Sequence, residues 1–185
     1  MTTRLVLVTS NEDKVREAAR FLAEVGASLD LERVRLELPE IQAATTAEVA
    51  LVKARAAFAA VHRPVVIEDA GIELDALGGF PGPFIKYWEL LGGLPSICRA
   101  VDGADRGVVA VCALAVCTGA DAFAVEGRVR GAVAEAPRGT SGFGWDAIFV
   151  PDEGDGRTFG EMTAPEKDRI SHRRRAWEAL AARFP

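Results

Sequence analysis

The chain has 185 residues, 49% of them apolar, and a formal net charge of −5, enough length for one domain or one domain with two lobes and enough apolar content to bury a core unaided. The acidic balance argues against a general nucleic-acid binder, and no apolar run reaches the roughly 20 residues that a membrane span requires. The opening Met1-Thr-Thr-Arg-Leu-Val6 lacks the layout of a signal peptide, so a cytoplasmic protein with neither nucleic-acid nor membrane partner is expected.

In chain order, Arg4 to Thr9 reads as a β-branched-rich strand. Ser10 or Asn11 can cap a helix reaching about Val25, with Val15, Ala18, Ala19 and Leu22 at the helical period. Leu31 to Leu38 alternates like a half-buried strand that Pro39 ends. Thr45 and Glu48 have the spacing of a capping box, ahead of an alanine-rich helix to Val61. Pro64 to Glu68 is a short apolar strand, and Gly71 to Leu77 a second extended piece. Gly78 to Pro83 holds three glycines and two prolines and must turn. Phe84 to Leu91 and Pro95 to Val101 read as short helices. Gly107 to Thr118 and Ala122 to Ala136 read as a long hairpin turning at Gly119-Ala-Asp121. After a glycine-rich loop, Gly139 to Gly144, a short strand is expected over Ala147 to Val150. A second capping box, Thr163 to Glu166, opens one last helix to about Arg183, burying Ile170, Trp177, Leu180 and Phe184. Interleaved helices and strands followed by a hairpin indicate an α/β fold with a mixed sheet, in a single domain over 1–185. The three cysteines, Cys98, Cys112 and Cys117, form no CxxC pair and should pack as small hydrophobes.

Four segments could carry chemistry. Thr9, Ser10, Asn11 and Lys14 stand where a strand meets a helix start, where free N–H groups and the helix dipole suit phosphate; an ordinary helix cap with a surface lysine is the alternative. Glu68 and Asp69 should point to opposite sides of their strand, leaving one carboxylate available for Mg²⁺ or for activating water, unless they merely form a turn; Glu40 is a further metal candidate. Phe143, Gly144, Trp145 and Asp146 offer flat faces for a base, close backbone approach and an acceptor, or else a turn whose aromatics enter the core. Lys167, Arg169, His172, Arg173, Arg174 and Arg175 form a basic run. On one continuous helix the three consecutive arginines fan apart by about 100° each, Lys167 and Arg174 share a stripe, and some of the arginines must be solvated. Together the four segments suit a nucleoside triphosphate.

These segments, with Leu38-Pro-Glu-x-Gln42, Ala76-Leu-Gly-Gly-x-Pro-Gly-Pro83, Glu161-Met162 and Ser171-His-Arg173, occur in an order that resembles the inosine triphosphate pyrophosphatases, also called XTP/dITP diphosphatases. The resemblance implies a two-lobed α/β fold with a long mixed sheet flanked by helices, an active-site cleft between the lobes, a homodimer, and Mg²⁺-dependent cleavage of ITP, dITP or XTP to a monophosphate and pyrophosphate. It implies triphosphate contacts at Thr9, Ser10, Asn11, Lys14, Lys53, Lys86 and Lys167, with Glu68 also at the substrate. Mg²⁺ would be held by Glu40 and Asp69, with Asp69 as the base for water, and the purine by Phe143, Gly144, Trp145, Asp146, His172 and Arg173. Arg174 and Arg175 become the solvated pair. Donors such as His172 and Arg173 would suit a 6-oxo group and be left unpaired by adenine, at about 1–3 kcal/mol each. Ala70 stands where the family usually has Ser or Thr, Ala147 where it has Pro, Asp168 where it has Asn, and Ser10 where it has Gly. A pyrimidine-directed Maf-type pyrophosphatase would not account for Phe143 to Asp146 together with Ser171 to Arg173. A non-catalytic nucleotide-binding module would not need Asp69, Glu40 and the lysines.

Overall fold

The computed structural model describes residues 3–25 and 28–184; Met1, Thr2 and Pro185, at the ends of the expected domain, lie outside the described residues. The fold is α/β with a mixed seven-stranded sheet. Its first half comprises β1 (Thr3–Val8), α1 (Glu12–Val25), β2 (Leu29–Val34), α2 (Thr46–Val61) and β3 (Val65–Leu74). There follow β4 (Pro81–Gly82), α3 (Ile85–Gly92), α4 (Leu94–Ala100), β5 (Gly107–Cys117), β6 (Ala122–Val133), β7 (Phe149–Pro151), α5 (Ala164–Ile170) and α6 (His172–Ala181). The strand order is β2-β1-β3-β5-β6-β7, with β4 on β3. β1 is parallel to β2 and β3, whereas β4 and β7 run antiparallel to β3 and β6.

The chain divides into two compact units. The first comprises residues 1–69, 112–127 and 173–185. Its cores follow from strand alternation. Leu5, Leu7 and Val66 pack with Phe21 and Leu22 of α1 and Trp177 and Leu180 of α6. Their neighbours Val6, Val8, Val65 and Ile67 pack on Ala50, Ala54 and Ala57 of α2, whose small side chains let helix and strands approach closely. The expected box opens α2: the Thr45 hydroxyl accepts from Glu48 N at 3.2 Å, and Glu48 accepts from Thr45 N at 3.1 Å. The second unit comprises residues 70–111 and 128–172, where Ile72, Leu74, Val108, Val129, Phe149 and Phe159 share a core with Ile85 and Ile97. All three cysteines are buried and free.

Several boundaries differ from the sequence expectation. β2 is Leu29–Val34, because its partner fixes it: Thr3 to Val8 pair residue for residue with Leu29 to Val34, and the chain beyond Val34 has no such template. β3 runs unbroken through Ala70-Gly71, so Glu68 and Asp69 sit inside a strand, not at its end. Ala147 belongs to a 3-10 turn over Gly144–Ile148, and the strand expected from it is Phe149–Pro151. On α1 it is Phe21, not exposed Ala19, that enters the core. The last helix is two helices: Ser171 is extended (φ −77°, ψ 148°), the conformation that precedes a helix start, where serine is a favoured residue.

Candidate active site

In the first unit, the turn after β1 is shaped by its own side chains. Asn11 N donates to the Thr9 hydroxyl, and Asn11 Oδ1 accepts from Asp13 N at 2.8 Å and Lys14 N at 3.3 Å. Asn11 is therefore the cap of α1, and two of the N–H groups expected to await phosphate already have an acceptor. Arg33, absent from the sequence expectation, braces this turn by donating to the Thr9 and Ser10 carbonyls at 3.2 Å each.

Glu68 and Asp69 point to opposite faces of β3, as alternation requires. Asp69 faces α2. There Lys53 Nζ lies 3.2 Å from Asp69 Oδ1 and 2.9 Å from Glu40 Oε1. Asp69 is 9% exposed. Burial pushes its carboxyl above the usual range, against the pull of Lys53 and Lys14. Burial works against the Lys53 charge too, but two carboxylates outweigh it and the ammonium is strengthened. The two directions are compatible, because Asp69 is the more deeply desolvated partner whereas Lys53 serves two anions. Glu40 and Asp69 thus converge on one cation. No group of three or more His, Cys, Asp or Glu side chains suited to a metal occurs among the described residues, but Mg²⁺ takes few protein oxygens alongside water and substrate phosphates. A carboxylate pair already gathered around a positive charge fits that need.

Glu68 faces α1 and α6. Lys14 Nζ is 3.3 Å from Glu68 Oε1 and donates to the Glu68 carbonyl at 3.2 Å. Arg173 Nε donates to Glu68 Oε1 at 2.8 Å, and Arg173 Nη1 pairs with Glu17. Arg173 is 2% exposed; burial disfavours its charge, but Glu68 and Glu17 hold it, and its pKa is raised well above the ordinary value. Arg173, expected at the purine, is held by two buried carboxylates of the first unit. Glu17 was missed; its signal is a charge on the inner face of α1, next to Ala18. Glu68 Oε2 is buried with no hydrogen-bond partner among the described residues, an acceptor that an incoming donor would satisfy.

The second unit gathers the rest. Trp145 is buried, its ring 5.0 Å from His172 and 5.7 Å from Phe149. His172 also stacks on Phe159 at 6.2 Å. Trp145 and His172 thus lie in one buried aromatic cluster, and Phe143 of the same turn is half-buried. Asp146 accepts from Lys167 Nζ at 2.6 Å and from Phe143 N at 2.8 Å. Lys167 is buried, with Nζ 4.9 Å from the Phe143 ring centre, so it belongs to this aromatic turn. Gly142 (φ +72°) is required here: a Cβ would stand 2.1 Å from Asp146 Oδ2. Lys86 lies exposed on α3, 5.6 Å from the Tyr87 ring.

The break at Ser171 ends the stripe expected for Lys167 and Arg174, since the two lie on different helices. Arg174, expected to be solvated, is half-buried and paired with Glu178 at 2.7 Å and Glu24 at 2.5 Å. Among the described residues, no helix is long and apolar enough to cross a membrane.

The chain is 40% identical over 183 residues to inosine triphosphate pyrophosphatase 2 of Trypanosoma cruzi, covering 98% of this chain and 92% of that one. It is 37% identical over 180 residues to the dITP/XTP pyrophosphatase of Methanopyrus kandleri, covering 96% and 94%. The crystal structure of a nucleoside-triphosphatase / dITP/XTP pyrophosphatase from Mycobacterium abscessus matches with a TM-score of 0.74 at 35% identity, covering 99% and 98% of the two chains. A HAM1 protein from Coxiella burnetii matches with a TM-score of 0.81 at 28% identity, covering 97% and 96%. The model of the Ham1 family matches residues 5–183, which include Glu68 and Asp69 of β3 and nearly all of the chain, and the chain belongs to the Ham1 family.

Proposed function

We propose that this protein is a cytoplasmic homodimer that hydrolyses non-standard purine nucleoside triphosphates (ITP, dITP and XTP) to the monophosphate and pyrophosphate, cleansing the nucleotide pool. The observation that carries the reading is Lys53 held between Glu40 and Asp69, in a family whose relatives bear pyrophosphatase names. Glu40 and Asp69 would hold Mg²⁺, which when bound offsets charge on the triphosphate and on the departing pyrophosphate. Lys14 and Lys53 add positive charge, and phosphoryl transfer depends mainly on such positioning and neutralisation. Asp69, its affinity for protons increased by burial, takes a proton from a water as the water oxygen bonds to the α-phosphorus. The bond from that phosphorus to the bridging oxygen breaks, and pyrophosphate leaves. Phe143, Gly144, Trp145, Asp146 and His172 recognise the purine, and Lys167, which Asp146 accepts from, contacts the triphosphate. Exposed Tyr87, Leu90 and Leu91 support α3 as the dimer face.

The test is pyrophosphate release from ITP, XTP, dITP, ATP, GTP, dTTP and UTP, with Mg²⁺ and with chelator, by the native protein and Asp69→Asn. Mg²⁺-dependent preference for ITP, dITP or XTP, abolished in a folded Asp69→Asn protein, is expected. Preference for dTTP or UTP, or undiminished activity of the variant, refutes the reading.

A further inference from the structure

Glu89 belongs to none of the motifs above. It lies on α3 one turn after Lys86 and is half-buried. A Cβ on Gly144 would stand 3.5 Å from Glu89 Oε2, so this carboxylate borders the backbone of the Phe143–Asp146 turn. Among the described residues no hydrogen bond or ion pair engages it, whereas the neighbouring Asp146 is satisfied by Lys167 and Phe143 N. Burial, and after it the charge of Asp146, raise the Glu89 pKa above the ordinary carboxylate value. The Phe143–Asp146 turn thus has one balanced ion pair, Asp146 with Lys167, and is bordered by one carboxylate with no counter-charge.

We propose that Glu89 is a specificity-determining residue of the base site, accepting a hydrogen bond from the N1–H edge of hypoxanthine and disfavouring xanthine. The inference rests on the pyrophosphatase reading above. Hypoxanthine presents N1–H beside a non-polar C2–H. Xanthine places a second carbonyl at position 2 and loses a proton more readily, so its edge turns acceptor-rich or anionic, which a carboxylate repels. Adenine has a lone pair at N1 and is disfavoured for the same reason. Guanine, with donors at both N1 and the 2-amino group, is not excluded by Glu89. A half-buried anion discriminates most strongly when its partner must supply the missing donor.

The experiment compares kcat/KM for ITP and XTP in the native protein, Glu89→Gln and Glu89→Leu, with calorimetric titration of IMP and XMP as an independent measure of base binding. Native preference for ITP is expected, with the ITP-to-XTP ratio falling about tenfold in both variants, the scale of one unfavourable contact between a carboxylate and the second carbonyl of xanthine, since both bases keep N1–H, and the IMP-to-XMP affinity ratio falling in parallel. Native preference for XTP, or ratios that stay within about twofold of native in folded variants or move toward ITP, overturn the role of Glu89 while leaving the pyrophosphatase reading intact. Absence of pyrophosphate release from both substrates by the native protein removes the pyrophosphatase reading, and this role with it.

Discussion

Arg173 distinguishes a base contact from an internal clamp by experiment. Arg173→Met keeps much of the side-chain volume and removes the charge. In the native structure the guanidinium is 2% exposed and bonds to Glu68 at 2.8 Å and to Glu17. Its loss leaves two buried carboxylates short of their shared cation, although Lys14 stays 3.3 Å from Glu68. Breaking such a pair by removing one partner costs about 3–5 kcal/mol. For a chain of this size each kcal/mol moves Tm by roughly 2–4 °C, so a fall of about 10 °C is expected at pH 7. Differential scanning calorimetry at pH 7, beside kcat/KM for ITP, separates a loss of stability from a loss of substrate recognition. A variant with native Tm at pH 7 and weakened ITP turnover would refute the clamp and restore Arg173 to the base.

Lys53→Met should move the acidic limb of the ITP kcat/KM profile to higher pH, because Lys53 restrains the upward shift that burial imposes on Asp69; an unmoved limb would exclude Asp69 as the titrating base. Gly142→Ala should cost about 1–2 kcal/mol from the left-handed backbone alone, and should also raise KM, since the new methyl collides with the Asp146 oxygen that holds Lys167; unchanged thermal unfolding and KM would count against this. Glu166→Gln removes the carboxylate that caps α5 through Thr163 and pairs with Arg157. Its folded pKa is pulled down to about 2 from an ordinary 4.5, first by Arg157, so its contribution is present above pH 4.5 and lost as pH falls through 2. The Tm gap between native and variant should therefore close over that interval, and a gap independent of pH would contradict the assignment.

What the sequence made legible was local. The boxes at Thr45 and Thr163 need only a four-residue spacing, and the divergence of Glu68 from Asp69 needs only the period of a strand. Their partners could not be read in the same way. Arg173 meets Glu17 across 156 positions and Glu68 across 105, and nothing local to a basic run says which arginine turns inward. The break at Ser171 was hidden because serine is tolerated within helices and favoured just before them. The burial of Trp145 is not legible either, because an aromatic beside glycines looks alike whether its ring faces solvent or the core. β2 was displaced because its ends are set by pairing with β1 and not by its own alternation.

The two-residue period that sends Glu68 to Lys14 and Asp69 to Lys53 works as a reading frame. Substitutions along Val65 to Ile67 change one side chain at a time. A single deletion there would exchange the clients of both carboxylates at once, handing Glu68 to the Glu40–Lys53 pair and Asp69 to Arg173, while leaving every residue of the cluster in the chain. Lineages of this fold should therefore vary freely in the length of the segments flanking β3 and not at all within it, and a library of one-residue deletions across Val65 to Asp69 should lose function far more uniformly than a library of substitutions at the same positions.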